Sequence, residues 1–202
     1  MSGMRYDVLT ALILFAFVAG VTPGPNNLML MASGVNFGLR RTLPHLAGVC
    51  LGFPAMVALV GFGLDAIFRT FPGFLTALRY VSVAYMLWLT YKIATAGPVH
   101  EEGAGKRPLG FLGAAAFQWV NPKGWVMAVS ALTSYTVMAD YAHSAGIVVL
   151  VFLLIALPAS GVWMLAGNAM RPLLSNPKRV RPFNLTMAAL LLASIVPVVF
   201  EG

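Results

Sequence analysis

Two long apolar stretches of this chain are interrupted in the same way, one in each half: Thr22-Pro23-Gly24-Pro25-Asn26-Asn27 and Asn121-Pro122-Lys123-Gly124. Lipid offers no hydrogen-bond partner to a peptide group. Non-helical backbone at membrane depth therefore survives only where protein or a watery cavity surrounds it. A matched pair of Gly/Pro-interrupted segments in two halves of an apolar chain is the pattern expected of a transporter's binding site. The first expectation is a small solute carrier.

The solvent follows from composition. Of 202 residues, 59% are hydrophobic and 9% charged, against roughly a quarter charged in soluble domains. The net charge of +7 does not point to nucleic acid, because the basic residues form no stripe and sit in short loops, where membrane topology explains them. The single cysteine, Cys50, excludes an internal disulfide and a thiolate metal cluster. The first apolar run has a weakly basic leader and continues past any Ala-x-Ala site, so an uncleaved span is expected.

Hydrophobic runs between polar breaks predict six spans, near 7–33, 42–64, 73–95, 109–134, 143–168 and 183–200, each long enough for a core of about 30 Å. The expected fold is thus an all-α integral membrane protein of six transmembrane helices, with helices one and four broken. A first three-helix repeat (1–96) and a second (109–202) would flank a cytoplasmic linker (97–108). Three spans per half oblige the second half to enter from the opposite face, so the halves would form a 3+3 inverted repeat. Pro23 and Pro25 then correspond to Pro122, and Pro54 to Pro158. One side collects Arg40, Arg41, Lys92, Lys106, Arg107, Arg171, Lys178, Arg179 and Arg181, the other only Arg5 and Arg69. By the positive-inside rule both termini are expected in the periplasm.

The breaks carry the expected chemistry. Pro23 and Pro25 would release the carbonyls of Ala19 and Val21, and Pro122 that of Gln118, while Gly24 permits unwinding. The helix after each break offers free amides and a positive dipole end, which suit a carboxylate. Free carbonyls before it, with the side-chain oxygens of Thr22, Asn26, Asn27, Gln118 and Asn121, suit an ammonium. Lys123 lies deep in its span, where an ammonium costs about 2.5–3.5 kcal/mol on insertion scales. Carbonyls, Asn26 or Asn27, and the substrate carboxylate are its expected partners; a structural tie to the first break is the alternative. Tyr85, near mid-span, is the aromatic expected to face the substrate. His45 is expected to be a solvated interfacial side chain, and Gly48-x-x-x-Gly52 to permit close helix packing.

Val21-Thr22-Pro23-Gly24-Pro25-Asn26-Asn27, the glycine-rich second span, Ala84-Tyr85 followed by Trp88-Leu89, and Asn121-Pro122-Lys123 together resemble the LysE/RhtB family of amino-acid exporters. The likeness runs the length of the chain. It implies a secondary active exporter of the bacterial inner membrane that uses the proton gradient, with no cofactor. His45 to Phe53 and Trp88 to Thr95 are most similar to the cysteine/O-acetylserine branch, with threonine or homoserine as the other candidates. Many relatives carry an acidic or amide residue where this chain has Phe53, which favours a small neutral amino acid over lysine or arginine. The implied partners are that substrate, the bilayer, a coupling proton and, optionally, a second copy of the chain. Two other readings stay open: a metal-ion transporter of related architecture, which needs carboxylate, His or Cys ligands in the membrane, and an intramembrane enzyme, which needs a nucleophile–base pair. Ser160 and His143 make no such pair, His143 falling at a span end.

Overall fold

The computed structural model describes residues 6–63, 73–95 and 108–200, and these are helical with no strand among them. Seven α-helices follow in order: α1 (Tyr6–Val21), α2 (Pro25–Gly63), α3 (Gly73–Ala94), α4 (Phe111–Phe117), α5 (Pro122–Tyr135), α6 (Tyr141–Met170) and α7 (Pro177–Phe200). A 3₁₀ turn, Gln118–Val120, continues α4 towards α5. Most of the linker expected at 97–108 lies outside the described residues, as do both ends of the chain.

α2 departs from the expected spans. Residues 34–41 were to separate spans one and two, but helix runs through them apart from one residue, Gly38, at φ 72° and ψ 177°. That region of backbone space is essentially reserved for glycine. The consequence is a reversal of direction. Ser33 Oγ lies 2.9 Å from His45 Nδ1, although twelve residues of straight helix would separate them by about 18 Å. A straight helix of 39 residues would also measure about 58 Å, nearly twice the hydrocarbon core. His45 is accordingly not a solvated interfacial group: it is 1% exposed between the two arms of α2.

Small residues let the helices approach. A β-carbon on Gly34 would strike the backbone at Met164, and one on Gly167 the backbone at Met31, so the 25–37 arm of α2 rests directly on α6. Gly48 and Gly52 hold the 39–63 arm equally close to Phe111, Ala114 and Ala115 of α4. α1 also packs on α6, and α3 on α7. The main apolar core, including Leu12, Met56, Ala128, Val148 and Phe152, fills the space between α1, α2, α5 and α6.

Polarity runs opposite to that of a soluble domain. Asn27, Thr42, Gln118, Asn121 and Ser160 are buried, while Leu14, Leu51, Leu59, Leu154 and Leu165 each leave half or more of their surface outside. Water-soluble monomers do not present such continuous apolar faces. Residues 25–63 and 138–170 are helices long and apolar enough to cross a bilayer, and 6–21 and 111–120 are shorter apolar helices.

Candidate functional site

Both interruptions restart on a proline. α1 stops at Val21 and α2 begins at Pro25; the 3₁₀ turn stops at Val120, Asn121 is extended (φ −90°, ψ 105°), and α5 begins at Pro122. Pro25, Asn26, Asn27, Lys123 and Gly124 were expected within the breaks but already belong to the following helices. Proline favours the first helical position because its φ is preset and the amide it lacks would be unbonded there anyway. In α2 the first amide to close a helical bond is that of Leu28, to Gly24 O at 3.0 Å. In α5 it is Trp125, to Asn121 O at 3.3 Å. The amides of Asn26, Asn27, Lys123 and Gly124 precede those bonds, and Asn121 caps α5 with no side-chain hydrogen bond.

The carbonyls behave differently from expectation. Those expected to be released by the prolines are all taken up by the protein. Ala19 O accepts from Thr22 Oγ1 at 2.8 Å, Val21 O from the indole of Trp163 at 2.9 Å, and Gln118 O from the Asn121 amide at 3.3 Å. Asn27 Nδ2 donates to both Gly20 O and Thr22 O at 2.8 Å. An unpaired carbonyl in an apolar surround costs several kcal/mol, and the chain folds so as to avoid that cost.

Lys123 completes the first break. Its Nζ donates to Thr22 O and Thr22 Oγ1, both at 2.8 Å, and to Pro23 O at 3.3 Å. An ammonium has three N–H donors, and here they meet three acceptors. Asn26 and Asn27 are not among them. Asn26 pairs instead with Gln118: Asn26 Nδ2 donates to Gln118 Oε1 at 2.8 Å, and Gln118 Nε2 returns a bond to Asn26 Oδ1 at 3.1 Å and a second to Ala114 O at 2.8 Å. The second residue of each restarted helix thus reaches across to the end of the other broken segment.

A cavity of about 50 Å³ opens between these elements, several times what one water needs. Gly24, Pro25, Asn26, Asn27, Asn121 and Lys123 line it, from both breaks. Thr22, Pro23, Gln118 and Pro122 are not among the residues that line it. Tyr85 is elsewhere, its ring 5.4 Å from those of Trp88 and Phe117. The apolar side comes from Phe53, Phe152, Val49, Ile155 and Met127, with small residues of α1 and α6 between them. Phe53 meets Phe152 edge-on at 5.0 Å. Sequence reasoning missed the α6 wall, although Phe152, Ile155, Ala156, Ala159 and Ser160 carry the spacing of a single helical face. One buried polar side-chain atom here has no partner: Asn121 Oδ1. Among the described residues no three His, Cys, Asp or Glu side chains cluster as metal ligands would.

Comparison with known proteins adds the relationship. A family model described as LysE type translocator matches residues 17–198. The cysteine/O-acetylserine efflux proteins of Escherichia coli strain K12 and of Shigella sonnei strain Ss046 are each 31% identical over 201 residues, covering 98% of this chain and the whole of theirs. No solved structure matches the chain.

Proposed function

The chain belongs to the LysE type translocator family, and from that membership we propose that it exports small neutral amino acids or their derivatives across the bacterial inner membrane, coupled to proton entry. The cysteine/O-acetylserine or threonine/homoserine class is the substrate. The observation that carries this reading is the cavity between the two helix restarts, which offers both halves of a zwitterion a partner. The amides at the starts of α2 and α5 point a positive dipole end at a carboxylate. Asn121 Oδ1, buried and without a partner, is an acceptor for the ammonium. Asn27 adds a second amide oxygen, because both of its 2.8 Å donor bonds to carbonyls identify the other atom as oxygen. The Asn oxygens therefore take the part first expected of the backbone carbonyls. Phe53 and the apolar wall give a lysine or arginine head no counter-charge.

The architecture we propose is six spans in a 3+3 inverted repeat, the first and fourth broken. The reciprocal contacts Asn26–Gln118 and Lys123–Thr22 support it, since a two-fold axis in the membrane plane relates such exchanges. Gly38 beside Arg171 supports a common cytoplasmic face, for a β-carbon on Gly38 would lie 3.1 Å from the Arg171 guanidinium. Counterflow in proteoliposomes tests the function: labelled cysteine, O-acetylserine, serine or threonine should exchange, and lysine should not. Exchange of lysine ahead of every neutral amino acid would reject the reading.

A further inference from the structure

Ser160 is the polar member of the α6 stripe that walls the cavity; the other four, Phe152, Ile155, Ala156 and Ala159, are apolar. It is 7% exposed and makes no hydrogen bond to any described residue. Helical hydroxyls in apolar surroundings ordinarily turn back onto the carbonyl four residues earlier. Thr42, Thr90 and Ser144 do so here, on Gly38 O, Met86 O and Asp140 O at 2.8 Å each. Ser160 does not. Its hydroxyl stands in the cavity wall with no bond inside the described chain, and so is free for a group that arrives from outside.

Asn121 Oδ1, on residue 121 at 3% exposure, is the one fully buried polar side-chain atom among the described residues without a partner. The two differ in chemistry. An amide oxygen only accepts, and so suits an ammonium; a hydroxyl both donates and accepts, and so suits a side-chain group of either kind. We propose that Ser160 is the residue that selects the guest's side chain, its Oγ pairing with an oxygen- or sulfur-bearing group on the substrate's β-carbon while Asn121 holds the ammonium. The inference rests on the cavity being the amino-acid site of the proposed function. Ala156 and Ala159 leave room next to the hydroxyl for such a group, whereas Phe53 and Phe152 close the far side to anything long or charged. The favoured class is the small amino acid with a polar β-substituent, over its aliphatic isostere.

The test is a ratio measured on the full-length protein in proteoliposomes: counterflow of serine against alanine, and of threonine against valine. The wild type should favour the polar member of each pair. Ser160→Ala should reduce that preference by about 3- to 10-fold, the value of one neutral hydrogen bond, and Ser160→Thr should retain it. Asn121→Ala should slow both members of a pair together and leave the ratio in place. Because the ratio is taken within each variant, a loss of folded carrier does not disturb it. A wild type without preference, or a Ser160→Ala variant with the wild-type ratio, overturns the role of Ser160 while leaving neutral amino-acid export intact. A wild type that carries none of the four, nor cysteine or O-acetylserine, overturns the proposed function itself.

Discussion

Lys123 is placed where an ammonium is costly, and its stability there depends on Thr22 and Pro23. With three acceptors at 2.8, 2.8 and 3.3 Å, the side chain ties the start of α5 to the end of the first broken segment. It also lies across Gly24, where an added β-carbon would come within 2.8 Å of Cδ. Lys123→Met should lower stability in detergent by about 1–3 kcal/mol, since the carbonyls of Thr22 and Pro23 lose a charged donor. Thr22→Val should cost less. Contacting residues are non-additive, so Thr22→Val should cost almost nothing once position 123 is Met. Thermal unfolding of the four members of this cycle measures it, and additive penalties would remove the tie.

At the level of elements, the hairpin at Gly38 arranges the site. It brings the two arms of α2 side by side, so that Asn26 and Asn27 from one arm and Val49 and Phe53 from the other line one cavity. The Ser33–His45 contact and the Thr42 bond back to Gly38 O at 2.8 Å lock the reversal. Gly38→Ala forces a β-carbon into a glycine-only conformation and towards Arg171, a strain of about 1–3 kcal/mol. The unfolding midpoint should fall accordingly and transport should fall with it. A variant as stable as the wild type would mean that the arms reverse by some other means. The small-residue contacts of Gly34 and Gly167 act in the same direction, since van der Waals packing, not hydrophobic collapse, holds apolar helices together in lipid.

For the whole molecule, the outward leucines and inward amides describe a body whose solvent is hydrocarbon and whose polar groups are turned inward. The pairing of α1 with α6, of α2 with α4 and α6, and of α3 with α7 interleaves the two halves instead of laying them side by side. Both breaks therefore contribute to one cavity, as the proposed inverted repeat would require. The proposed orientation has a direct test. A reporter enzyme active only in the periplasm should work when fused after Gly202 and fail when inserted in the 97–107 segment; the opposite result inverts the topology.

The sequence alone determined the solvent and the positions of the breaks, because a missing proline amide and an apolar run act through local chemistry wherever they stand; that the helices already restart at Pro25 and Pro122 is a finding of the structure. The sequence also marked Asn121 and Lys123 without reference to any neighbour, and Phe53 through the family resemblance. Only the tertiary structure decided which groups answer the exposed backbone. That Trp163 takes Val21 O, that Gln118 faces Asn26, and that Tyr85 turns towards Phe117 depend on contacts between residues far apart in the chain. The same holds for Gly38 and Ser160: a glycine between helices and a serine in an apolar helix look unremarkable in sequence. The first acquires its role from the register of two arms, the second from a cavity that exists only when four helices meet. Hydrogen-bond demand is written residue by residue, whereas its supply is a property of the packed whole.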